Sequence, residues 1–245
     1  MIKKVFKKAI AMIGIMAVLI PSQTVMAGGT ITAEQFDYEW YLEQHPDLAA
    51  ITTDPSTIYQ FYLNVGLGAD WNGRVSPAYI TDETELKCYG IVDSITNSTM
   101  TQREKATAIH NWMCQNIQYD YSFSHYTVKG AINEGLAVCQ GYAETFRKLC
   151  NIAGIECEMV TGTVTPSVRR TVYIDGRTVY IYAAGSGGHA WNQVKVDGQW
   201  YQVDVTWDDG YEDLTSAGYI TEYFLISPEN MMYDHNYNNP KIIHY

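Results

Sequence analysis

The stretch GHAWNQVKVDGQWYQVDVTWDD, residues 188–209, has two runs of alternating residue polarity on either side of Asp197-Gly198. Such alternation is typical of half-buried strands, and Asp-Gly favours a two-residue hairpin turn. We therefore predict a β-hairpin in which Val196 lies opposite Gln199. That one pair fixes the register of the whole hairpin, because a slip by one residue would turn every side chain to the other face.

This register brings His189 and Asp204 to the same face of the hairpin. The second strand is predicted over Gln199–Thr206, so Trp191 lies opposite Asp204. Opposed and alternate residues share a face, which makes His189 and Asp204 diagonal neighbours about 7–8 Å apart at the backbone. A carboxylate can reach an imidazole nitrogen across that diagonal.

A cysteine begins a predicted helix in AVCQGYAETF, residues 137–146. The helix starts at Cys139, after a loop that contains Gly135, and Gly154 supplies its C-terminal stop. The positive end of the helix dipole favours a thiolate over a thiol at this position. The first N–H groups of the helix are available to stabilise an oxyanion.

Together these motifs predict a catalytic triad. Cys139 is the nucleophile, His189 accepts its proton, and Asp204 fixes the tautomer and orientation of the imidazole. The sulfur can attack an amide or carboxamide carbonyl and release an amine as a thioester forms. Water then completes hydrolysis, or a second amine completes transfer. This chemistry requires no cofactor and no metal.

Composition limits the other possible classes of function. The 245 residues carry a formal net charge of −11, and 47% of them are hydrophobic and 18% charged. Those fractions suit one globular domain of ordinary size with a smaller appendage. Lys and Arg do not cluster outside the first eight residues, so we expect no nucleic-acid binding.

Residues 1–27 have the pattern of a secretory signal peptide. Four lysines within Met1–Lys8 precede an uncharged apolar run, Ala9–Ile20, and small residues stand at Val25 and Ala27. A membrane span needs about 20 apolar residues, and neither this run nor any later segment is long enough. We therefore expect a secreted, extracellular protein without membrane contact after cleavage.

The rest of the chain divides into two predicted parts. Residues 28–79 form a small helical module and a linker, and residues 80–245 form the catalytic domain. In the module a helix opens near Thr32 and is broken by Pro46, and a polar linker spans Asn72–Pro77. The aromatic side chains of the module favour packing, with glycan binding as the alternative.

The catalytic domain is predicted to place helices before antiparallel strands, which defines the α+β class. Thr101–Glu104 fits a capping box at the start of one helix. A strand is predicted over Glu156–Val164, and a second hairpin over Thr171–Tyr182. The composition of Thr163–Arg170 suggests a flexible loop over the substrate groove.

AVCQGYAETF, NIAGIECEMVTG and GHAWNQVKVDGQWYQVDVTWDD, in this order, resemble the transglutaminase-like superfamily of papain-type cysteine enzymes. The resemblance runs from Glu104 to Asp209. It implies a papain-like α+β core with the catalytic cysteine at a helix N-terminus, and a triad that maps onto Cys139, His189 and Asp204. Members include transglutaminases, deamidases, proteases and catalytically silent relatives, so the resemblance does not select a reaction. Calcium dependence, which belongs to large members with extra β domains, is not expected.

Some positions have two interpretations. A second oxyanion donor beside the Cys139 N–H has four candidates that spacing does not separate: Trp112, Tyr119, Asn133 and Gln140. Trp191 and Trp207 either wall an acyl-binding groove or pack the sheet. The acidic residues from Asp208 to Asp213 lack the spacing of a calcium loop, and a solvated turn is favoured.

The remaining thiols and one histidine are assigned structural roles. Cys114 is predicted to lie in the core, and Cys88 has no assigned role. Cys150 and Cys157 are predicted as two buried thiols, although a disulfide between them is conceivable. His235 is interpreted as a structural hydrogen-bonding residue. The histidines show no paired metal-ligand spacing, so no metal site is predicted.

The sequence therefore predicts an exported enzyme of the transglutaminase or cysteine protease type that forms a thioester on Cys139. Its substrate would be an extracellular protein or peptide, including a cell-envelope peptide. The alternative is a non-catalytic surface-binding protein that retains the fold. The sequence gives no oligomeric state.

Overall fold

The computed structural model describes residues 31–66, 72–165, 169–174, 177–182, 187–209 and 222–237. The predicted signal peptide, residues 1–27, lies outside these ranges. In the part of the chain that is described, no helix combines the length and the apolar character that crossing a bilayer requires.

The N-terminal module is built from short helices: α1 (Tyr38–Gln44), α2 (Pro46–Ala49), α3 (Pro55–Phe61) and a π-helical turn at Tyr62–Gly66. They surround a small core of their own, in which the ring of Phe36 stacks on Tyr62 and contacts Tyr41 at a tilt. The aromatic residues of the module therefore pack against one another, as the sequence favoured.

The first helix of the module begins later than predicted. Thr32 forms a turn with Gln35 through its hydroxyl and its carbonyl. Asp37 caps α1 instead, because its carboxylate accepts a hydrogen bond from Trp40 N at 3.2 Å. The predicted break at Pro46 is confirmed, since α1 ends before this residue and α2 begins with it.

Four further helices follow: α4 (Glu83–Ile95), α5 (Gln102–Asn116), α6 (Val128–Glu134) and α7 (Cys139–Ile152). The capping box at the start of α5 is confirmed, because Thr101 and Glu104 exchange both reciprocal hydrogen bonds. Helix α7 starts at Cys139 as predicted. The left-handed backbone of Gly154, with φ of +80°, follows its end.

The segment Asn72–Pro77, predicted as a polar linker, is packed against its neighbours. Arg74 is buried, and its guanidinium donates to Asp37 Oδ2 at 2.9 Å and to Asp93 Oδ1 at 2.7 Å. Asp37 belongs to the module and Asp93 to α4. Arg74 therefore holds this segment against both the module and α4.

The strands form three small sheets. A parallel pair, β1 (Gln118–Tyr119) and β2 (Leu136–Ala137), lies beside the start of α7. The main antiparallel sheet has the order β7-β6-β3-β8 and contains β3 (Cys157–Val164), β6 (Gly187–Val196), β7 (Gln199–Val203) and β8 (His235–Asn236). A separate hairpin joins β4 (Arg169–Ile174) to β5 (Arg177–Tyr182). Helices before antiparallel strands make the α+β class that was predicted.

The predicted register of the hairpin is confirmed, since Val196 pairs with Gln199 and every further pair of β6 and β7 follows. The second strand ends at Val203, three residues earlier than expected. A short helix, α8 (Val205–Asp209), begins there because Asp204 caps it, with Trp207 N donating to Asp204 Oδ1 at 3.2 Å.

The predicted loop at Thr163–Arg170 overlaps a strand at each end. Thr163 and Val164 end β3, and Arg169 begins β4. Residues 166–168 lie outside the described ranges.

The main core lies between α7 and the elements around it. Residues such as Phe146, Leu149 and Ile109 are fully buried where α7 meets α5 and the sheet. This packing fixes the helix that carries Cys139 against the strand that carries His189.

Candidate active site

Cys139 is the first residue of α7, and no side chain caps that helix. Its N-cap residue, Val138, donates its N–H to the carbonyl of His125 at 2.8 Å, which ties the helix start to the preceding loop. The thiol is half-buried. Because no side chain accepts from the first turn, the N–H groups there can receive a developing oxyanion.

His189 and Asp204 meet as the hairpin register predicts. His189 Nε2 donates to Asp204 Oδ2 at 2.6 Å. The other ring nitrogen, Nδ1, is left for the hydrogen bond that joins the imidazole to the thiol of Cys139. The three side chains named from the sequence therefore form one continuous chain of contacts.

The charges along this chain favour a thiolate–imidazolium pair. Burial raises the pKa of the Cys139 thiol, but the hydrogen bond and charge of His189 and the N–H of Ala190 outweigh it, so the pKa lies below its ordinary value. Burial lowers the pKa of His189, and Asp204 more than reverses this and raises it to about 10. A proton shared in this way sits on the imidazole, which leaves the sulfur as the nucleophilic thiolate.

A second imidazole contacts the same carboxylate. His235 Nε2 lies 3.0 Å from Asp204 Oδ2, and His235 Nδ1 lies 2.7 Å from Asp234 Oδ1. Burial alone would raise the pKa of Asp204, but the His189 and His235 imidazoles hold it well below its usual range. The interpretation of His235 as a hydrogen-bonding residue holds, but its place beside the triad and the part of Asp234 were not found from the sequence.

Aromatic rings enclose the two imidazoles. The ring of Trp207 lies 5.5 Å from His189 and 4.4 Å from His235 between centroids. Trp191 is 1% exposed and donates its indole N–H to Gln202 Oε1 at 3.0 Å. Trp191 therefore packs the sheet, while the half-buried Trp207 lies at the edge of the site.

Of the four candidates for a second oxyanion donor, two are committed elsewhere. Gln140 donates along its own helix to Glu144 at 3.1 Å, and Asn133 is bonded by side chains of α4. Trp112 packs at the margin of the main core. Burial, and then the nearby Cys139 thiolate, raise the pKa of Tyr119, so its hydroxyl stays protonated and can donate.

Exposed aromatic side chains lie in the loop that follows Tyr119, the tyrosine near Cys139. Tyr121 is 82% exposed, Phe123 59% and Tyr126 44%. The rings of Tyr121 and Phe123 lie 5.1 Å and 6.3 Å from the ring of Tyr119. We call Tyr121, Phe123 and Tyr126 the aromatic rim.

The loop that carries this rim is fixed by Asp120. Its buried carboxylate accepts from the backbone N–H groups of Ser122, Ser124 and His125 at 2.8, 2.7 and 3.0 Å. The exposed rings are therefore held in place by the backbone beneath them.

The acidic turn after the triad carboxylate is buried at its start. His110 Nε2 donates to Asp208 Oδ2 at 2.9 Å, and the Tyr142 hydroxyl donates to Asp209. Burial raises the pKa of Asp208 to about 6, against the opposing effect of His110. The prediction of a solvated turn is wrong for these two residues, because α8 turns them into the core; residues 210–213 lie outside the described ranges.

The thiols other than Cys139 are buried, and no disulfide is formed by any of the five cysteines, all of which the structure describes. Cys114 lies in the main core as predicted. Cys150 and Cys157 are two neighbouring buried thiols that hydrogen-bond to each other, which confirms the favoured interpretation.

Among the described residues, one group has the spacing to hold a metal ion, and it includes two members of the predicted triad. Ligand atoms of His189, Asp204 and His235 lie within 4.8 Å of one another. The nitrogen–oxygen distances of 2.6 and 3.0 Å are those of direct charge-assisted hydrogen bonds. We therefore assign this cluster to hydrogen bonding.

A half-buried cysteine at a helix start, bonded to an imidazole that a carboxylate orients, defines the class of papain-type cysteine sites. Comparison with known proteins gives the family. Residues 89–205 match the model of the transglutaminase-like superfamily. The domain that these residues form belongs to that superfamily, as the sequence motifs indicated.

The individual relatives share less than a third of their residues with this chain. Kyphoscoliosis peptidase from Mus musculus and from Homo sapiens are each 29% identical over 237 residues, covering 79% of this chain and 34% of the relative. The chain thus spans about a third of the length of these curated relatives. A crystal structure of a TGase superposes with a TM-score of 0.40 and 16% identity, covering 64% of this chain and 39% of that chain.

Proposed function

We propose that the chain is a secreted cysteine-dependent acyl transferase or hydrolase that acts on protein or peptide amides. The observation that carries the proposal is the continuous contact from Cys139 through His189 to Asp204. Cys139 would be the nucleophile, His189 the proton carrier and Asp204 the residue that orients it. Secretion rests on the signal-peptide pattern of residues 1–27.

The reaction would proceed in two halves. The thiolate of Cys139 attacks the amide carbonyl, and the first N–H groups of α7 stabilise the oxyanion. The His189 imidazolium gives its proton to the departing amine or ammonia as the thioester forms. Water or a second amine then attacks the thioester, His189 takes its proton, and the thiolate is regenerated.

Two observations favour a peptide or protein substrate over a small amide. The aromatic rim offers exposed apolar contact beside the nucleophile, of the kind that peptide-binding surfaces use. The mouse and human relatives bear the name peptidase, which supports hydrolysis as one outcome.

The first test is alkylation of the thiols by iodoacetamide at about pH 6, where an ordinary thiol is almost fully protonated. Cys139 should react at least about tenfold faster than the other four cysteines, and His189→Ala should remove that advantage. Equal reactivity of all five thiols in the folded protein would overturn the proposal and leave the non-catalytic surface-binding alternative.

The second test separates the reactions. A glutamine-bearing protein is incubated with a fluorescent amine, and ammonia, incorporated label and new peptide termini are measured. Incorporated label indicates transfer, ammonia alone deamidation, and new termini peptide hydrolysis. Cys139→Ala is the matched control, since it removes the sulfur nucleophile and leaves His189 and Asp204 in the chain.

A further inference from the structure

A second imidazole–carboxylate pair lies behind the triad, outside residues 89–205. It comes from β8, which pairs with β3 through Val164 and His235. His235 and Asp234 are 1% and 2% exposed, so no solvent screens them. Their neighbour Asp204 is equally buried.

The ring of His235 has a carboxylate oxygen at each nitrogen, Asp204 Oδ2 at 3.0 Å and Asp234 Oδ1 at 2.7 Å. A neutral imidazole has a single N–H donor, whereas an imidazolium has two. Ionised carboxylates only accept, so the geometry is satisfied when both ring nitrogens carry protons. Burial lowers the pKa of His235, and the bonds to Asp204 and Asp234 outweigh it and raise the pKa above its ordinary value.

A further layer fixes this pair. The hydroxyl of Tyr223 donates to Asp234 Oδ2 at 2.7 Å. The carbonyl of Tyr223 accepts from Asp204 N at 2.9 Å, so one residue holds both carboxylate-bearing segments. The charges then alternate in sign along the series from the Cys139 thiolate through His189, Asp204 and His235 to Asp234. Each buried charge lies beside one of the opposite sign.

We infer that His235, held by Asp234, is a positioning residue: it donates the second hydrogen bond to Asp204 and so keeps that carboxylate ionised and aimed at His189. The inference rests on the proposed function, because its consequence is the state of the Cys139–His189 pair. The titratable groups that face His235 are Asp204, Asp234, His189 and Tyr223.

The test compares His235→Phe, which keeps ring volume but has no donor, with His235→Gln, which restores an amide N–H towards Asp204. The rate of Cys139 alkylation by iodoacetamide is measured against pH. His235→Phe removes a positive charge and a donor, so the lower limb of the profile should move to higher pH. The rate at about pH 6 should fall about 10- to 100-fold, and His235→Gln should recover part of the loss.

Tyr233→Ala is the matched control, because Tyr233 is in the same segment but is 76% exposed. If His235→Phe does not fold, Asp234→Asn, which weakens the hold on His235, should show the same shift in smaller measure. Nitrogen NMR of the wild-type chain gives an independent readout, with both ring nitrogens of His235 protonated at neutral pH.

Two failures are distinguishable. If wild-type Cys139 is no more reactive than the other thiols, the proposed function fails. If wild-type Cys139 is reactive and depends on His189, while the folded His235 and Asp234 variants keep the wild-type profile, the positioning role alone is overturned. A neutral His235 in the NMR spectrum would overturn it as well.

Discussion

The proton shared by Cys139 and His189 controls the chemistry that the site can support. Asp204 stabilises the imidazolium from one side and the helix start stabilises the thiolate from the other. Burial opposes charge on both groups, and the contacts among Cys139, His189 and Asp204 outweigh it.

The pH dependence of turnover follows from these shifts. Turnover should rise as the pH passes the lowered pKa of Cys139, stay level, and fall as the pH approaches about 10, where His189 loses its proton. Above that pH the thiolate persists but the acid that protonates the leaving amine is absent. Parallel pH profiles of alkylation and of amide turnover check this, since only turnover should decline. A decline near pH 7 would contradict the raised pKa of His189.

Three site residues could be found from the sequence because their geometry is local. A helix start presents Cys139, and a two-residue turn fixes His189 against Asp204. His235 and Asp234 could not be found in this way, since their place depends on β8, a strand of two residues that joins the sheet through long-range contact. A strand this short has no periodicity for a pattern to reveal.

The approach of β8 to β3 depends on a glycine. A Cβ on Gly162 would collide with the carbonyl oxygen of Asn236 and would lie 2.7 Å from Cη2 of Trp191. Gly162 is thus the position where the C-terminal segment can pass close enough for His235 to reach Asp204. The backbone of Asn236 and the buried indole of Trp191 leave little room for adjustment.

Gly162→Ala should therefore lower the free energy of unfolding by about 1–3 kcal/mol and slow alkylation of Cys139. Urea unfolding followed by tryptophan fluorescence and the iodoacetamide assay measure the two effects. The matched control is Gly90→Ala in α4, where a Cβ meets nothing within 4 Å. That change should stabilise the protein by about 0.5–1 kcal/mol and leave alkylation unchanged. Equal effects of the two substitutions would refute the role of Gly162.

The aromatic rim predicts a separation of binding from chemistry. Replacing both Tyr121 and Phe123 by Ser removes exposed apolar surface without touching the triad. The KM for a protein substrate should rise about tenfold or more, because an aromatic contact at the centre of an interface contributes more than about 1 kcal/mol. The iodoacetamide reactivity of Cys139 should not change. A fall in that reactivity with an unchanged KM would mean that these residues support the site and do not bind substrate.

The elements themselves were predictable where one local signal was strong. The capping box of α5 and the Asp-Gly turn both specify a boundary within four residues, and both are confirmed. The predicted end of the strand after the turn was wrong. The alternating sequence pattern continues to Thr206, but the Asp204 carboxylate caps a helix and ends the strand before it. Two local rules competed there, and the tertiary burial of Asp208 decided for the helix.

Arg74 joins the N-terminal module to helix α4, which leads into the transglutaminase-like domain. Besides its two carboxylate partners, its guanidinium lies 4.8 Å from the ring of Trp40 and 5.2 Å from that of Tyr89. Asp37 is the buried partner, whereas the side chain of Asp93 is 49% exposed. Loss of the arginine would therefore leave one buried carboxylate without its cation.

Arg74→Ala should destabilise the protein by about 2–4 kcal/mol and open the junction to proteases, while the alkylation of Cys139 stays unchanged in the folded fraction. Limited proteolysis with mapping of the cleavage sites tests this. Arg103→Ala is the matched control, since this arginine also lies over an aromatic ring, that of Tyr201 at 5.2 Å, but is exposed. Cleavage spread evenly along the chain in both variants would contradict a specific junction.

Asp204 and Asp208 stand four residues apart and should make the stability of the molecule depend on pH in opposite senses. The folded-state pKa of Asp204 is lowered, so its contribution is present above the unfolded value of about 4 and is lost as the pH falls. The folded-state pKa of Asp208 is raised to about 6. The free energy that this carboxyl group contributes to stability is therefore present below about pH 4 and is lost as the pH rises through 6.

Urea unfolding of Asp204→Asn, Asp208→Asn and the wild type between about pH 3 and pH 6 separates the two effects. The penalty of Asp204→Asn should be about 3–5 kcal/mol at the upper end and shrink as the pH falls, because the unfolded wild-type chain takes up a proton at Asp204 that the folded chain does not. Relative to wild type, Asp208→Asn should gain stability as the pH rises, because it removes a carboxylate that burial disfavours. Parallel lines for both variants would mean that neither carboxylate titrates abnormally. The pH dependence of unfolding would then have to come from titratable groups other than Asp204 and Asp208.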